Sequence, residues 1–158
     1  MTTELGPEGL VELLHRVKKL AKEYREVAGR PLGVTGEVAE YEAVRLLGGL
    51  KLAPVRQEGY DAQRWTDAGS QLVQIKGRCV RPGTNLGQRI GRIDLNREWD
   101  VVLLVLMDEH FETTAIYEAD RAQLTAALSE PGSRARNERG QLGVGKFKAI
   151  GRQVWPPL

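Results

Sequence analysis

The sequence QLVQIKGR at positions 71–78 decides the fold, because its residues alternate as they do in a β-strand with one buried face. In such a strand Val73 and Ile75 would place their apolar side chains on one side. The other side would carry the polar side chains Gln74, Lys76 and Arg78. The pattern therefore predicts a sheet with one packed face and one face available for chemistry.

A carboxylate, Asp61, precedes this strand by a short distance in the sequence Gly-Tyr-Asp-Ala. A turn at 67–70 would bring the segment 61–65 back against 71–78 as a neighbouring strand. A carboxylate beside an amide oxygen and an ammonium suits a hard cation that holds a phosphodiester. Asp61, Gln74 and Lys76 are therefore predicted to form a metal-and-phosphate site.

The remaining elements follow from hydrophobic periodicity and from the positions of Gly and Pro. Helices are expected at 7–28, 37–47 and 119–129, the second with Thr35 as its N-cap. Further strands are expected at 51–56, 100–107, 113–118 and 147–155. This order predicts an α/β fold, with α+β as the alternative, in which a mixed central sheet is flanked by helices.

Length and composition indicate one domain in a cytoplasmic protein. The chain has 158 residues and a single cysteine, Cys79, which excludes an internal disulfide. Its longest apolar run, Val101–Met107, is far shorter than the roughly 20 residues that span a bilayer. The first ten residues lack the apolar core of a secretory signal, so no membrane or export role is expected.

Basic residues are concentrated in two glycine-containing stretches, 76–97 and 134–152, although the formal net charge is only +2. Such stretches are typical of loops that contact phosphates, and they predict DNA as a partner. Ordinary solvated loops are the competing interpretation. The residues predicted to contact nucleic acid are Arg78, Arg81, Arg89, Arg92, Arg136, Arg139, Lys146 and Lys148.

The order of these residues resembles the PD-(D/E)XK nuclease superfamily, whose fold is that of restriction endonucleases. That family has a glutamate on its first core helix, an aspartate on the second strand and an acid-x-lysine on the third. Gln74 stands here in place of the acid, which resembles the Gln-x-Lys variant of Mrr-type restriction endonucleases. The resemblance covers 35–120 as a nuclease-like core. It leaves 7–28 as an additional N-terminal helix and 130–158 as a basic C-terminal segment.

The resemblance implies a Mg²⁺-dependent or Mn²⁺-dependent endonuclease that hydrolyses DNA. Asp61 and Gln74 would supply metal ligands, and Lys76 would steady the attacking water. Glu37 would bind a second metal or orient a water, with Glu40 as the alternative because it lies closer to the apolar side of its helix. Surface acids on a helix, a turn aspartate and a polar strand face are the plainer interpretations of these residues.

Other functions remain open at this point. A catalytically inactive nucleic-acid-binding or defence-accessory protein would keep the same fold, and a small interaction module would form a homodimer through 7–28. The sequence G-x-x-x-x-G-K at 140–146 resembles a nucleotide-binding loop, but Phe147 stands where Ser or Thr is needed. No nucleotide cofactor is therefore expected. His15, His110 and Cys79 lack nearby catalytic partners in the sequence.

Overall fold

The structure is a computed structural model that describes residues 6–30, 32–54, 58–81, 88–130 and 141–158. Within these ranges six strands form one mixed sheet in the order β1-β2-β3-β4-β5-β6. The strands are β1 (Leu50–Leu52), β2 (Ala62–Thr66), β3 (Gly69–Cys79), β4 (Val101–Met107), β5 (Thr113–Asp120) and β6 (Arg152–Trp155). The helices are α1 (Pro7–Ala28), α2 (Thr35–Leu47), α3 (Arg121–Ser129) and α4 (Val144–Ile150). The predicted mixed sheet flanked by helices is confirmed, in the α+β class.

Strand β3 lies between an antiparallel neighbour and a parallel one. Val73 pairs with Ala62 of β2 on one side and with Val101 of β4 on the other. Parallel strands need a crossover, and its described part, residues 88–100, lies against one face of the sheet. Ile90 and Ile93 in this crossover are each only 1% exposed. The described part of the predicted basic loop is therefore packed against the sheet.

Helix α2 packs on the apolar face of β3, and Gly77 permits the close approach. A side-chain carbon at Gly77 would lie 2.5 Å from Cβ of Ala39 and 2.9 Å from the carbonyl oxygen of Thr35. Val73 and Ile75 belong to the same hydrophobic core as Ala39. The alternation of β3 therefore places α2 on the side opposite Gln74, Lys76 and Arg78.

The other face of the sheet has its own core, formed by the crossover, α3 and α4. Arg121 fixes the end of the crossover, since its guanidinium lies 4.5 Å from the ring of Trp99 and donates to backbone oxygens of Leu95, Arg97 and Trp99. Trp99 is 2% exposed, so this tryptophan belongs to the core.

Helix α1 is fastened to the domain by a buried ionic cluster. Glu42 of α2 is fully buried and accepts from Lys18 of α1 at 2.9 Å, from Arg45 at 2.8 Å and from Thr113 at 2.6 Å. Lys22 of α1 also pairs with Glu112 at 2.6 Å. A charge that is removed from water requires such partners. This explains why donors from α1, α2 and β5 surround the carboxylates of Glu42 and Glu112.

Two elements differ from the sequence-based expectation. Residues 144–150 form helix α4 rather than the start of a strand, because burial of Val144 and Phe147 three residues apart favours a helix. The first strand ends at Leu52, before Pro54 and before residues 55–57, which lie outside the described ranges. No helix in the described part of the chain is long and apolar enough to cross a membrane.

Candidate functional site

Asp61 lies at the start of β2, where its side chain takes part in the pairing with β3. Its backbone N–H donates to the carbonyl of Val73 at 2.9 Å, and Oδ2 accepts from the backbone N–H of Ile75 at 2.7 Å. Burial raises the pKa of Asp61, while the Ile75 amide and the Lys76 ammonium act in the opposite direction. The carboxylate is thus held in a fixed position beside β3.

Gln74 is 9% exposed, and its two amide atoms have different surroundings. Nε2 donates to the carbonyl of Gly59 at 3.1 Å. Oε1 is buried and accepts no hydrogen bond from any residue in the described ranges. A buried oxygen without a donor is costly, and it is also what a cation would require as a ligand. This orphaned oxygen fits the role that the resemblance implied for Gln74.

Gly59 fixes the turn that carries Asp61 and accepts from Gln74. Its φ is +94°, and an added Cβ would lie 3.1 Å from the carbonyl oxygen of Glu98. Only glycine adopts this backbone conformation readily. The turn is thereby packed against the end of the crossover, and the position of Asp61 depends on that packing.

Lys76 and Arg78 are half-buried on the same face of β3 as Gln74. Burial lowers the pKa of Lys76; Asp61 raises it and Arg78 lowers it further. Arg78 donates to the carbonyls of Arg89 and Gly77, each at 2.6 Å. Both cationic groups come close to Gly91. A Cβ atom built on this glycine would lie 3.6 Å from Nη2 of Arg78 and 3.8 Å from Nζ of Lys76. Two adjacent half-buried cations are an arrangement suited to an anion.

The two candidate glutamates of α2 differ in their surroundings. Glu37 is exposed, whereas Glu40 is half-buried. Burial raises the pKa of Glu40 to about 7, and the charges of Asp61 and Glu37 raise it as well. Glu40 is therefore electrostatically coupled to Asp61. A strongly perturbed carboxyl beside another carboxylate is typical of functional sites.

The two basic stretches meet beside Arg78. A bridge pairs Arg89 with Gly143, and Ile90 N–H donates to the carbonyl of Leu142 at 2.9 Å. The guanidinium of Arg89 also reaches the carbonyl of Gln141 at 3.4 Å. The described ends of both stretches therefore lie close to Arg78 of β3, which donates to the carbonyl of Arg89.

The other predicted phosphate contacts are distributed more widely. Arg81 and Arg92 are exposed, within 3.6 Å of Glu109 and 3.9 Å of Asp94 respectively. Lys146 pairs with Glu130 at 2.6 Å, and Nζ of Lys148 lies 5.4 Å from the ring centre of Tyr117. Arg136 and Arg139 fall outside the described residues.

Metal ligation here would depend on mixed oxygen donors. The described residues contain no group of three or more His, Cys, Asp or Glu side chains arranged to hold a metal ion. The available donors are the Asp61 carboxylate, Oε1 of Gln74 and the Glu40 carboxyl. Mg²⁺ is commonly bound by one or two carboxylates and keeps several waters, so these oxygens are of the chemical kind that Mg²⁺ takes as ligands.

Sequence reasoning missed one buried group of α2. Glu42 is fully buried, although its position within the apolar spacing of Val38, Ala39 and Ala43 is a signal that the helical pattern contains. Glu42 accepts from Lys18 and so attaches α1 to α2. His15 of α1 is exposed, and its Nδ1 lies 2.7 Å from the hydroxyl of Tyr41, which adds a second contact between the two helices.

Comparison with known proteins assigns no family to the chain. No family model matches the sequence, and no curated protein is similar to it. The chemistry of the site is therefore inferred from the side chains that surround Asp61.

Proposed function

We propose that the protein is a metal-dependent endonuclease that hydrolyses phosphodiester bonds in DNA in the cytoplasm. One observation carries the proposal. Oε1 of Gln74 is buried and accepts no hydrogen bond from the described residues, on the strand face that also carries Lys76, whose ammonium is electrostatically coupled to Asp61. An oxygen that lacks a donor, a carboxylate and an ammonium together match a hard cation bound to a phosphate.

Each residue has a distinct task in this proposal. Asp61 and Gln74 would hold Mg²⁺ or Mn²⁺, and Glu40 rather than Glu37 would complete the site from α2. The bound cation would lower the pKa of a coordinated water, which supplies hydroxide near neutral pH. Lys76 places a positive charge where the phosphoryl oxygens gain negative charge, and a preorganised charge of this kind lowers the barrier.

Arg78 and Arg89 would position the DNA backbone. The guanidinium of Arg78 is oriented by two backbone carbonyls, so it loses little conformational entropy on binding a phosphate. Within the described residues Arg78 forms no ion pair, which leaves its charge available to an external anion. The half-buried cations and the joined basic stretches support DNA as the partner.

A plasmid-nicking assay tests hydrolysis. The parent should nick supercoiled DNA with Mg²⁺ or Mn²⁺ and not with EDTA. Asp61→Asn and Lys76→Met should each lower the rate by about 100-fold or more. Asp67→Asn and Lys51→Met alter exposed residues of the same types and should keep the parent rate. Equal nicking by Asp61→Asn and the parent would refute the proposal.

Metal binding gives a readout that does not depend on activity. Titration of Mn²⁺ followed by electron paramagnetic resonance should give a dissociation constant about 10-fold higher for Asp61→Asn than for Asp67→Asn. An identical Mn²⁺ affinity of both variants would mean that Asp61 is not a ligand of the metal.

Gln74 itself favours a second candidate, a DNA-binding protein that does not hydrolyse DNA. An amide in place of an acid removes one negative charge from the site and weakens its hold on a divalent ion. This candidate predicts no nicking by the parent, together with salt-sensitive DNA retention that survives Asp61→Asn. Arg78→Gln should then reduce the slope of log affinity against log salt by about 1.

A further inference from the structure

Helix α1 carries a stripe of exposed apolar side chains at seven-residue spacing. Leu13 is 39% exposed, Leu20 is 60% exposed and Val27 is 86% exposed. Leu10, Val17 and Tyr24 lie beside them at the same spacing and are only partly buried. These six residues form an apolar seam, and residues that repeat as a and d of a heptad are the pattern of helices that pair.

Part of the seam helps to attach α1 to its own domain, because Leu10 and Val17 pack against the hydrophobic core. The adjacent side of the helix completes that attachment through the buried residues Leu14, Lys18 and Ala21, so the exposed row of Leu13, Leu20 and Val27 is not needed for it. Exposure of three large apolar residues in one row of a helix whose other side is already docked marks a surface that another helix would cover.

We propose that the seam binds the same helix of a second copy of this chain in antiparallel orientation. Arg16 and Glu23 flank the seam on its solvent side, and both are exposed. Neither forms an ion pair with another described residue. Antiparallel pairing about Val17 and Leu20 brings Arg16 near Glu23 of the partner subunit, and symmetry repeats the pair.

A parallel pairing lacks this complementarity. It would turn the flanking residues Arg16 and Glu23 toward the other edge of the facing seam, where the equivalent positions are those of Leu14 and Ala21, which carry no charge and are buried against their own domain. Neither flanking charge would then meet an opposite charge. The charges therefore specify both the partner, which is a second copy, and the direction of the helices. The inference does not depend on the proposed hydrolysis.

Sedimentation equilibrium of the full chain tests the seam. Between about 2 and 200 µM the average mass should rise from monomer toward dimer, as expected for a moderate interface. Leu20→Glu should raise the dissociation constant more than about 10-fold, because it puts a charge at the centre of the seam. Trp65→Glu adds the same charge at another exposed apolar residue, 72% exposed on β2, and should leave association unchanged.

Charge exchange tests the orientation. Arg16→Glu alone should weaken the dimer, and the double variant Arg16→Glu with Glu23→Arg should restore it. Failure of the double variant to recover would overturn the antiparallel pairing. A parent that stays monomeric over the whole concentration range would refute association through the seam. A Leu20→Glu variant that associates like the parent would refute it as well. Melting curves establish that each variant is folded, which we expect because all four substituted positions are exposed.

Discussion

The backbone N–H of Ile75 donates to Oδ2 of Asp61 at 2.7 Å, so a side chain of one strand serves as the acceptor for the backbone of the next. This bond gives Asp61 a structural task in addition to the proposed chemical one. It holds the carboxylate at the point where β2 and β3 begin to pair, next to Lys76.

Substitution of Asp61 should separate these two tasks. Asp61→Asn retains an oxygen that can accept from Ile75, whereas Asp61→Ala leaves that buried N–H without a partner. We expect Asp61→Ala to lower the free energy of unfolding by about 1–2 kcal/mol more than Asp61→Asn does. Urea denaturation measures this difference, and equal losses would mean that the bond contributes nothing to stability.

Gln74→Glu should have opposite effects on metal affinity and on metal-free stability. The added charge strengthens a divalent site, so the Mn²⁺ dissociation constant should fall several-fold. Without metal, a buried carboxylate near Asp61 is penalised, and the melting temperature should fall. Thermal melts with EDTA and with Mn²⁺ measure both effects. Gln71→Glu, on the same strand at a half-buried position outside the site, is the control, and a similar gain in affinity there would contradict the assignment.

Glu40 should make the folded protein less stable as pH rises. Its folded pKa of about 7 exceeds the ordinary value of 4.5, so the folded state holds the proton more tightly than the unfolded state does. The stability that this proton contributes is complete below pH about 4.5 and is lost as pH rises through 7. Relative to Glu40→Gln, the parent should lose about 2 kcal/mol over this interval, allowing for the solvent around a half-buried group.

Urea denaturation at several pH values in EDTA measures this loss. Glu98→Gln removes a carboxyl that is exposed and should keep the parent's pH dependence. A Glu40→Gln variant that follows the parent at every pH would show that Glu40 is ordinarily solvated.

Gly77→Ala should separate α2 from β3. The new methyl group would lie 2.5 Å from Cβ of Ala39 and 2.9 Å from the backbone oxygen of Thr35, which is closer than van der Waals contact allows, so the helix must shift. We expect a loss of about 1–3 kcal/mol in the free energy of unfolding. Gly36→Ala lies in the first turn of α2 with no atom within 4 Å of the new methyl group, and it should be neutral or slightly stabilising. Equal stability of the two variants would contradict this account of the packing.

Glu42→Ala should be among the most destabilising changes in the chain. It removes the acceptor of Arg45 and Thr113 and leaves Lys18, which is 8% exposed, with only the more distant Glu112 carboxylate at 3.3 Å, and we expect a loss of about 3 kcal/mol. Replacement of both residues, Lys18→Met with Glu42→Leu, should recover most of that loss because no buried charge then remains unpaired. Chemical denaturation of the single and double variants measures the coupling, and additive losses would argue against it.

The sequence predicted β3 and its faces because alternation is a local property. Val73 and Ile75 are buried on one side, and Gln74 and Lys76 lie on the other, as expected. The packing of Ile90 and Ile93 could not be recovered in the same way. Their burial depends on the crossover between parallel strands, and the glycines and arginines around them resemble a solvated loop.

The candidate site was predictable in part. Asp61, Gln74 and Lys76 could be proposed from their order and strand phase, since neighbouring strands bring such positions together. The choice between Glu37 and Glu40 could not be made from a motif, because it depends on how α2 is rotated against β3. Gly77 sets that rotation through a contact between distant parts of the chain.

The anchoring of α1 would determine how a pair of chains acts on a duplex. Lys18 and Lys22 of α1 form ion pairs with Glu42 and Glu112. These pairs hold the outer surface of α1 in a fixed orientation relative to the sheet that bears Lys76. If the proposed hydrolysis and the proposed pairing both hold, two copies joined along α1 would keep their catalytic sites at a set separation. The stagger between breaks in opposite DNA strands would be a fixed number of base pairs, readable from the ends of the cleaved fragments.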